Sequence, residues 1–519
     1  MRGRVGAGHP LGMRQMWKRA VVLTAAFAAA AAGGATAAAG GVTAAAAQRA
    51  GPPAGCVAVP GAECGTIRVP LVRAQPELGS TTVAYAMIRH RDGSKRAKGT
   101  VTINPGGPGD SAFAYAPMYA DKFGALLRDH DLLLIEPRGV GRADPLDCGL
   151  TGLPATRDGF VRAVGDCGRA LGARGRGYTS AEIADDIDAV RAKLGIDRLD
   201  VIGESYGTYL MTVYAQRHPG RVRSVVLSSA YPLAFDMWAR PNVRAARRAI
   251  ELLCARSGGA CDGGRVLGDI ARLSERLRER PIPYTMEGGE RRSLDDTALA
   301  SIVYAAAGQA PEGIGDVPAM VRTALTGDTT SLVEAARQVA PMSGSSLPRG
   351  PGSAPPDEQQ FNAAHAAAVM CNDYPTLWNR KAPVPARLRQ FEKKRAALPE
   401  RTYWPFGKRA WTSAINDQGN ACIRWPDRTG PAQPTGGPFP DVPVLVVSGD
   451  LDPNTPTESG RLAAGQFRRA TVVEVSNVGH VAEREPSACV IGVLSGFVRD
   501  QKVGDLSCLA TIPPVPVHS

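Results

Sequence analysis

Ser205 stands in Gly203-Glu204-Ser205-Tyr206-Gly207, directly after the apolar run Leu199-Asp200-Val201-Ile202 and directly before a stretch with helical character. A strand that turns at once into a helix exposes the serine hydroxyl and aims the first N–H groups of the helix at the space beside it. Gly203 and Gly207 lack a Cβ and leave room for so tight a turn. The chemistry that suits this arrangement is attack on a carbonyl carbon, with the charge that develops on oxygen held by backbone donors.

A serine nucleophile needs a base, and the base needs an acid to orient it. With the serine on a strand-to-helix turn, the acid and then the histidine follow later in the chain. His480, in Ser476-Asn477-Val478-Gly479-His480, follows a predicted strand at 470–475 and is the expected base. His518 lies in a proline-rich tail, His9 in the leader, and His90, His130, His218 and His365 are expected to be structural. The acid is expected just after the strand at 442–447, where Asp450 and Asp452 both stand and position alone does not separate them. Donors for the oxyanion are expected from the N–H of Tyr206 and from Gly106 or Gly107 in Asn104-Pro105-Gly106-Gly107-Pro108-Gly109. No Gly-Lys-Ser/Thr follows that loop, which argues against a phosphate site. Glu204 reads equally well as a ligand for a substrate's α-amino group or as a charge at a helix start.

The elements that must position these residues follow from periodicity. Strands are predicted at 66–71, 82–88, 99–104, 131–135, 199–203 and 225–227. A helix from Thr179 to Leu194 has a Thr179/Glu182 capping pattern and an apolar face of Ile183, Ile187, Val190 and Leu194. Alternating strands and helices imply an α/β fold with a mostly parallel central sheet. The expected organisation is a first core part at 63–231, an inserted and mainly helical cap at 232–425, and a second core part at 426–519. A Gly-, Ser- and Pro-rich loop is expected within 341–356, and a last helix from Ser487 to Arg499.

Residues 1–47 are of another character. Arg2, Arg4, Arg14, Lys18 and Arg19 precede an apolar run from Ala20 to Ala32 and then small residues, the pattern of an export signal. Residues 48–62 read as a linker; a lipid attachment at Cys56 is disfavoured by Pro53 and by the distance from the apolar run. The net charge of +12 falls to +7 once the five basic residues of 1–47 leave, and it is spread along the chain, so a nucleic-acid surface is not indicated. Ten cysteines in an exported chain of 519 residues point to disulfides. Sequence-near couples suggest Cys56–Cys64, Cys148–Cys167, Cys254–Cys261, Cys371–Cys422 and Cys489–Cys508. No cysteine or histidine spacing suits a metal, and no cofactor is expected.

Taken in order, several short motifs resemble a known family. They are the stretch from Cys64 to Leu71, Asn104–Gly109, the stretch from Glu136 to Arg142, Gly203–Thr208, Cys371-Asn372-Asp373, Leu451–Pro456 and Gly479-His480. The chain resembles the secreted tripeptidyl aminopeptidases, α/β-hydrolases related to prolyl iminopeptidases, over roughly Cys64 to Cys508. The resemblance implies Ser205 as nucleophile, His480 as base and then acid, and Asp452 rather than Asp450 as the orienting acid. It implies release of short peptides, typically tripeptides, from a free N-terminus through an acyl-enzyme. Glu204 and Asp373 become the candidates for holding the substrate's ammonium group. Ser228-Ser229 after Leu227, where relatives often have Asp-Gly, and Asn454, where they often carry a small apolar residue, depart from the pattern near the catalytic edge.

Two other functions fit the same residues: a secreted carboxylesterase or lipase with the same triad, and a non-catalytic binding protein on the same fold. Dehalogenase or epoxide chemistry would need an aspartate where Ser205 stands. The expected partners are peptides with a free N-terminus, with no nucleic acid and no stable membrane insertion after the leader is removed; the sequence does not fix the oligomeric state.

Overall fold

The computed structural model describes residues 56–93, 95–150, 156–286, 289–309, 311–339, 360–415, 417–426 and 439–518. The expected export signal at 1–47, the first part of the expected linker and the expected loop at 341–356 fall outside the described residues.

Eight strands build the main sheet: β1 Glu63–Pro70, β2 Ser80–Ile88, β3 Gly99–Asn104, β4 His130–Ile135, β5 Leu199–Glu204, β6 Val222–Ser228, and, beyond the insertion, β9 Val444–Gly449 and β10 Ala470–Val475. Their spatial order is β1-β2-β4-β3-β5-β6-β9-β10. β2 pairs antiparallel with both β1 and β4, and every later pairing is parallel. The chain is therefore α/β with a mostly parallel central sheet. Residue types follow position in the sheet. β4, β5 and β9 are buried along their whole length, as expected with layers on both faces, whereas the edge strands β1 and β10 alternate.

Helix Ser180–Lys193 matches the predicted span, and Thr179 Oγ1 accepts the N–H of Glu182 at 3.1 Å. The Glu182 carboxylate does not return to the cap; it binds Arg73 instead. Asp186 on the same helix pairs with Arg138 through two bonds of 2.6 Å, and Arg138 also donates to the carbonyl oxygens of Leu71 and Gly177. Arg138 is fully buried, so the Glu136-Pro137-Arg138 motif serves the scaffold.

Between β6 and β9 the described regular elements are helices except for a two-stranded ribbon that the sequence pattern does not reveal, β7 Ile282–Thr285 and β8 Arg291–Leu294. All five expected cysteine pairs are bonded. Cys56 and Val57 are buried in a cluster with helix Cys489–Asp500, so the described end of the linker stretch is docked. Among the described residues no helix is long and apolar enough to cross a membrane.

Candidate active site

The ends of β3, β5, β9 and β10 carry Asn104, Ser205, Asp452 and His480 to one edge of the sheet, where ligands of parallel sheets gather. Ser205 has φ 54° and ψ −125°, a conformation L residues rarely adopt, and it is followed at once by helix Tyr206–Arg217. The two motif glycines are demanded by contact. A Cβ on Gly203 would collide with the backbone of Gly207, and one on Gly207 with the carbonyl of Asn104. Ser205 N–H donates to Ser228 O at 3.0 Å, and Thr208 Oγ1 donates to Ser205 O at 2.5 Å, which locks the turn.

The two aspartates separate by their partners. Asp452 is fully buried, and its Oδ2 lies 2.8 Å from His480 Nδ1. The same oxygen accepts from Thr455 Oγ1 at 2.7 Å, and Oδ1 accepts the N–H groups of Asn454 and Thr455 at 2.7 and 3.1 Å. Burial alone would raise the Asp452 pKa, but the His480 charge and these donors outweigh it and hold it below the ordinary aspartate value. Asp450 is spent elsewhere, on Arg256 at 2.6 Å and on the N–H of Asn477 at 2.9 Å.

The loop carrying His480 is fixed from two sides. Ser229 Oγ accepts the N–H of Val481 at 2.7 Å, and the carbonyl of Gly308, in helix Asp296–Gln309 of the insertion, accepts the N–H of His480 at 2.9 Å. Ser229 has φ 56°, at a place where glycine is common in the resembled family. Both Ser228 and Ser229 thus have roles: Ser228 Oγ donates to the buried carboxylate of Glu483.

Ser205 and His480 line one cavity of about 1110 Å³, which also exposes Gly107, Tyr231, Tyr304, Asp417 and Arg484. Of the two loop glycines, Gly106 donates its N–H to Asn104 Oδ1 at 3.1 Å and packs against the elbow, while Gly107 is in the cavity wall. A serine hydroxyl, an imidazole with its Nδ1 on a carboxylate, and nearby backbone donors can together carry out acyl transfer.

The remaining candidates sit differently. Glu204 is 1% exposed, does not line the cavity, and receives Arg484 Nη2 on its Oε2 at 3.0 Å. Asp373 is also 1% exposed and outside the cavity wall; it accepts the N–H of Ser180 at 2.6 Å. The structure brings neither to the substrate space. His90, His130 and His218 face Asp131, Asp129 and Asp185, and His365 is buried, all away from the cavity. Asp417, which the sequence reading missed, is in the wall. Among the described residues no group of three or more His, Cys, Asp or Glu is placed to hold a metal ion.

Comparison with known proteins agrees with this architecture. Residues 99–248 match the α/β-hydrolase fold family and residues 408–508 the family of TAP-like proteins. The serine protease Hip1 of Mycobacterium tuberculosis is 25% identical over 482 residues, covering 85% of this chain and 86% of the relative. The tripeptidyl aminopeptidase of Streptomyces lividans is 25% identical over 457 residues, covering 80% and 77%. Carboxylesterase B of Mycobacterium tuberculosis is 27% identical over 509 residues, covering 88% and 86%. This chain has the α/β-hydrolase fold, is similar to these two peptidases and to the carboxylesterase, and is a serine hydrolase.

Proposed function

We propose that the protein is a secreted serine exopeptidase that removes short peptides, tripeptides in the first instance, from free N-termini. The observation that carries this is His480, its Nδ1 2.8 Å from the buried Asp452, lining one cavity with the elbow serine and with residues of the insertion. In this reading Ser205 Oγ attacks the scissile carbonyl and passes its proton to His480 Nε2. Asp452 holds the other ring nitrogen and stabilises the imidazolium. The N–H groups of Tyr206 and Gly107 receive the oxyanion, since that of Gly106 already serves Asn104. His480 then protonates the departing amine, and water hydrolyses the acyl-enzyme. Export fits the five disulfides, and a cavity walled in part by the insertion favours chain ends over folded proteins.

Digestion of a peptide library, with identification of the products, tests the reading. Release of N-terminal tripeptides supports it; internal cleavage or no cleavage, in a protein whose Ser205 a fluorophosphonate labels, removes it. The similarity to a carboxylesterase supports a second reading, ester hydrolysis by the same residues. A higher kcat/KM for short acyl esters than for free tripeptide anilides would favour that reading.

A further inference from the structure

Most carboxylates in the cavity wall are accounted for. Glu392 pairs with Arg395, Asp295 caps the N–H of Ala298 at 2.9 Å, Asp158 is exposed, and Asp110 is 4% exposed and engaged. Asp417 differs. It is half-buried, it lines the cavity with Ser205 and His480, and its charge reaches His480. Its Oδ2 accepts from Tyr231 Oη at 3.2 Å, and among the described residues no cation forms a salt bridge with it. The charge of Arg157 acts on Asp417, while Arg157 also donates to the carbonyl oxygens of Ile415 and Gln418 and to Asn420 Oδ1 at 2.8 Å, clamping the loop that presents Asp417.

A partly desolvated carboxylate with no cation bonded to it directly is costly to keep ionised, and the charges of Arg157 and His480 offset only part of this. Burial accordingly raises the Asp417 pKa. Its surroundings suit an organic cation. The rings of Tyr231 and Tyr304 share the wall, and burial keeps both phenols neutral. An ammonium group gains from an anionic oxygen and from aromatic rings together. We propose that Asp417, with Tyr231 and Tyr304, forms the subsite that receives the substrate's free α-ammonium group. The assignment rests on the exopeptidase reading above and gives the free N-terminus a specific ligand. The span from Ser205 to Asp417 then sets how many residues are released.

The test compares a tripeptide anilide bearing a free amine with its N-acetyl counterpart. Wild type is expected to prefer the free amine. D417N is expected to lose that preference by roughly ten- to a hundredfold, mainly through a higher KM, and D417E to recover part of it. If wild type cleaves both substrates equally, the exopeptidase reading falls and the subsite with it. If wild type discriminates and D417N, melting cooperatively, discriminates as strongly, the subsite alone falls. If D417N does not fold, wild type with butylammonium and butanol decides. The cation is expected to compete with the free-amine substrate and the alcohol not, whereas equal inhibition overturns the subsite.

Discussion

The carbonyl of Gly308 accepts the backbone N–H of His480 at 2.9 Å, so a helix of the insertion holds the loop that carries the base. A Cβ on Gly308 would collide with the side-chain amide of Asn454, whose buried Oδ1 has no hydrogen-bond partner among the described residues. G308A is therefore expected to displace Asn454 and, through the loop from Asp452 to Thr455, the Asp452–His480 pair. Misplacement of this order lowers kcat by roughly ten- to a hundredfold. N454A removes the obstructing amide, so the double variant G308A/N454A should recover most of the loss. Steady-state kinetics on the three proteins checks this, and a double variant no better than G308A would discard the steric explanation.

Asp450 and Asp452 are two residues apart and predict opposite phenotypes. D452N keeps the shape but offers an amide to His480 Nδ1, favouring the wrong tautomer, and kcat is expected to fall by about four orders of magnitude. D450N leaves that contact alone and weakens the bond to Arg256, so it should lower the melting temperature and change kcat much less. Paired kinetics and melting curves separate the two; equal losses of kcat would remove the distinction.

What could be read from the chain depended on whether the decisive relation was local. Gly203 and Gly207 flank Ser205 within five residues, His480 follows a strand end, and the disulfides join sequence-near cysteines, so each left a pattern. Asp452 was separable from Asp450 only through the family resemblance, because the contact that distinguishes them spans 28 residues. Glu204 misled by proximity. It ends β5 beside the nucleophile, yet its side chain is turned to Arg484 and away from the cavity. Asp373, singled out by the Cys371-Asn372-Asp373 motif of the resemblance, ends a helix and gives its carboxylate to Ser180, 193 residues earlier. Asp417 left no pattern at all, because its place in the wall beside Ser205 and His480 exists only in the assembled cavity. The ribbon of β7 and β8 escaped because four-residue strands rich in arginine and proline carry no usable period.

The Cys371–Cys422 bond closes a separation of 51 residues and ties helix Ala363–Asp373 to the segment after Asp417. Loop-closure entropy assigns such a crosslink about 4 kcal/mol of stability. The double variant C371S/C422S is expected to lose an amount of that order in denaturant titration. Its KM for free-amine substrates should also rise, because the loop that presents Asp417 loses one anchor. A variant of wild-type stability would mean that packing of Trp425 and Ile423, both buried, holds the segment unaided.

Asp373 makes stability depend on pH in a predictable direction. Burial raises its pKa to about 7, and the hydrogen bonds from Ser180 and the charge of Arg380 only partly oppose this. The unfolded chain releases that proton near the ordinary value of 3.8. Between these values the folded protein binds more protons than the unfolded one, so this group's contribution falls as pH rises. It is fully present below about 4 and lost by about 7, a change of at most a few kcal/mol. D373N keeps an oxygen to accept the Ser180 N–H and has no proton to lose in this range. Its stability relative to wild type should therefore climb steadily from pH 4 to pH 7 and level off above. Urea titrations at intervals of one pH unit measure the difference; a constant offset would mean that Asp373 ionises normally in the folded protein.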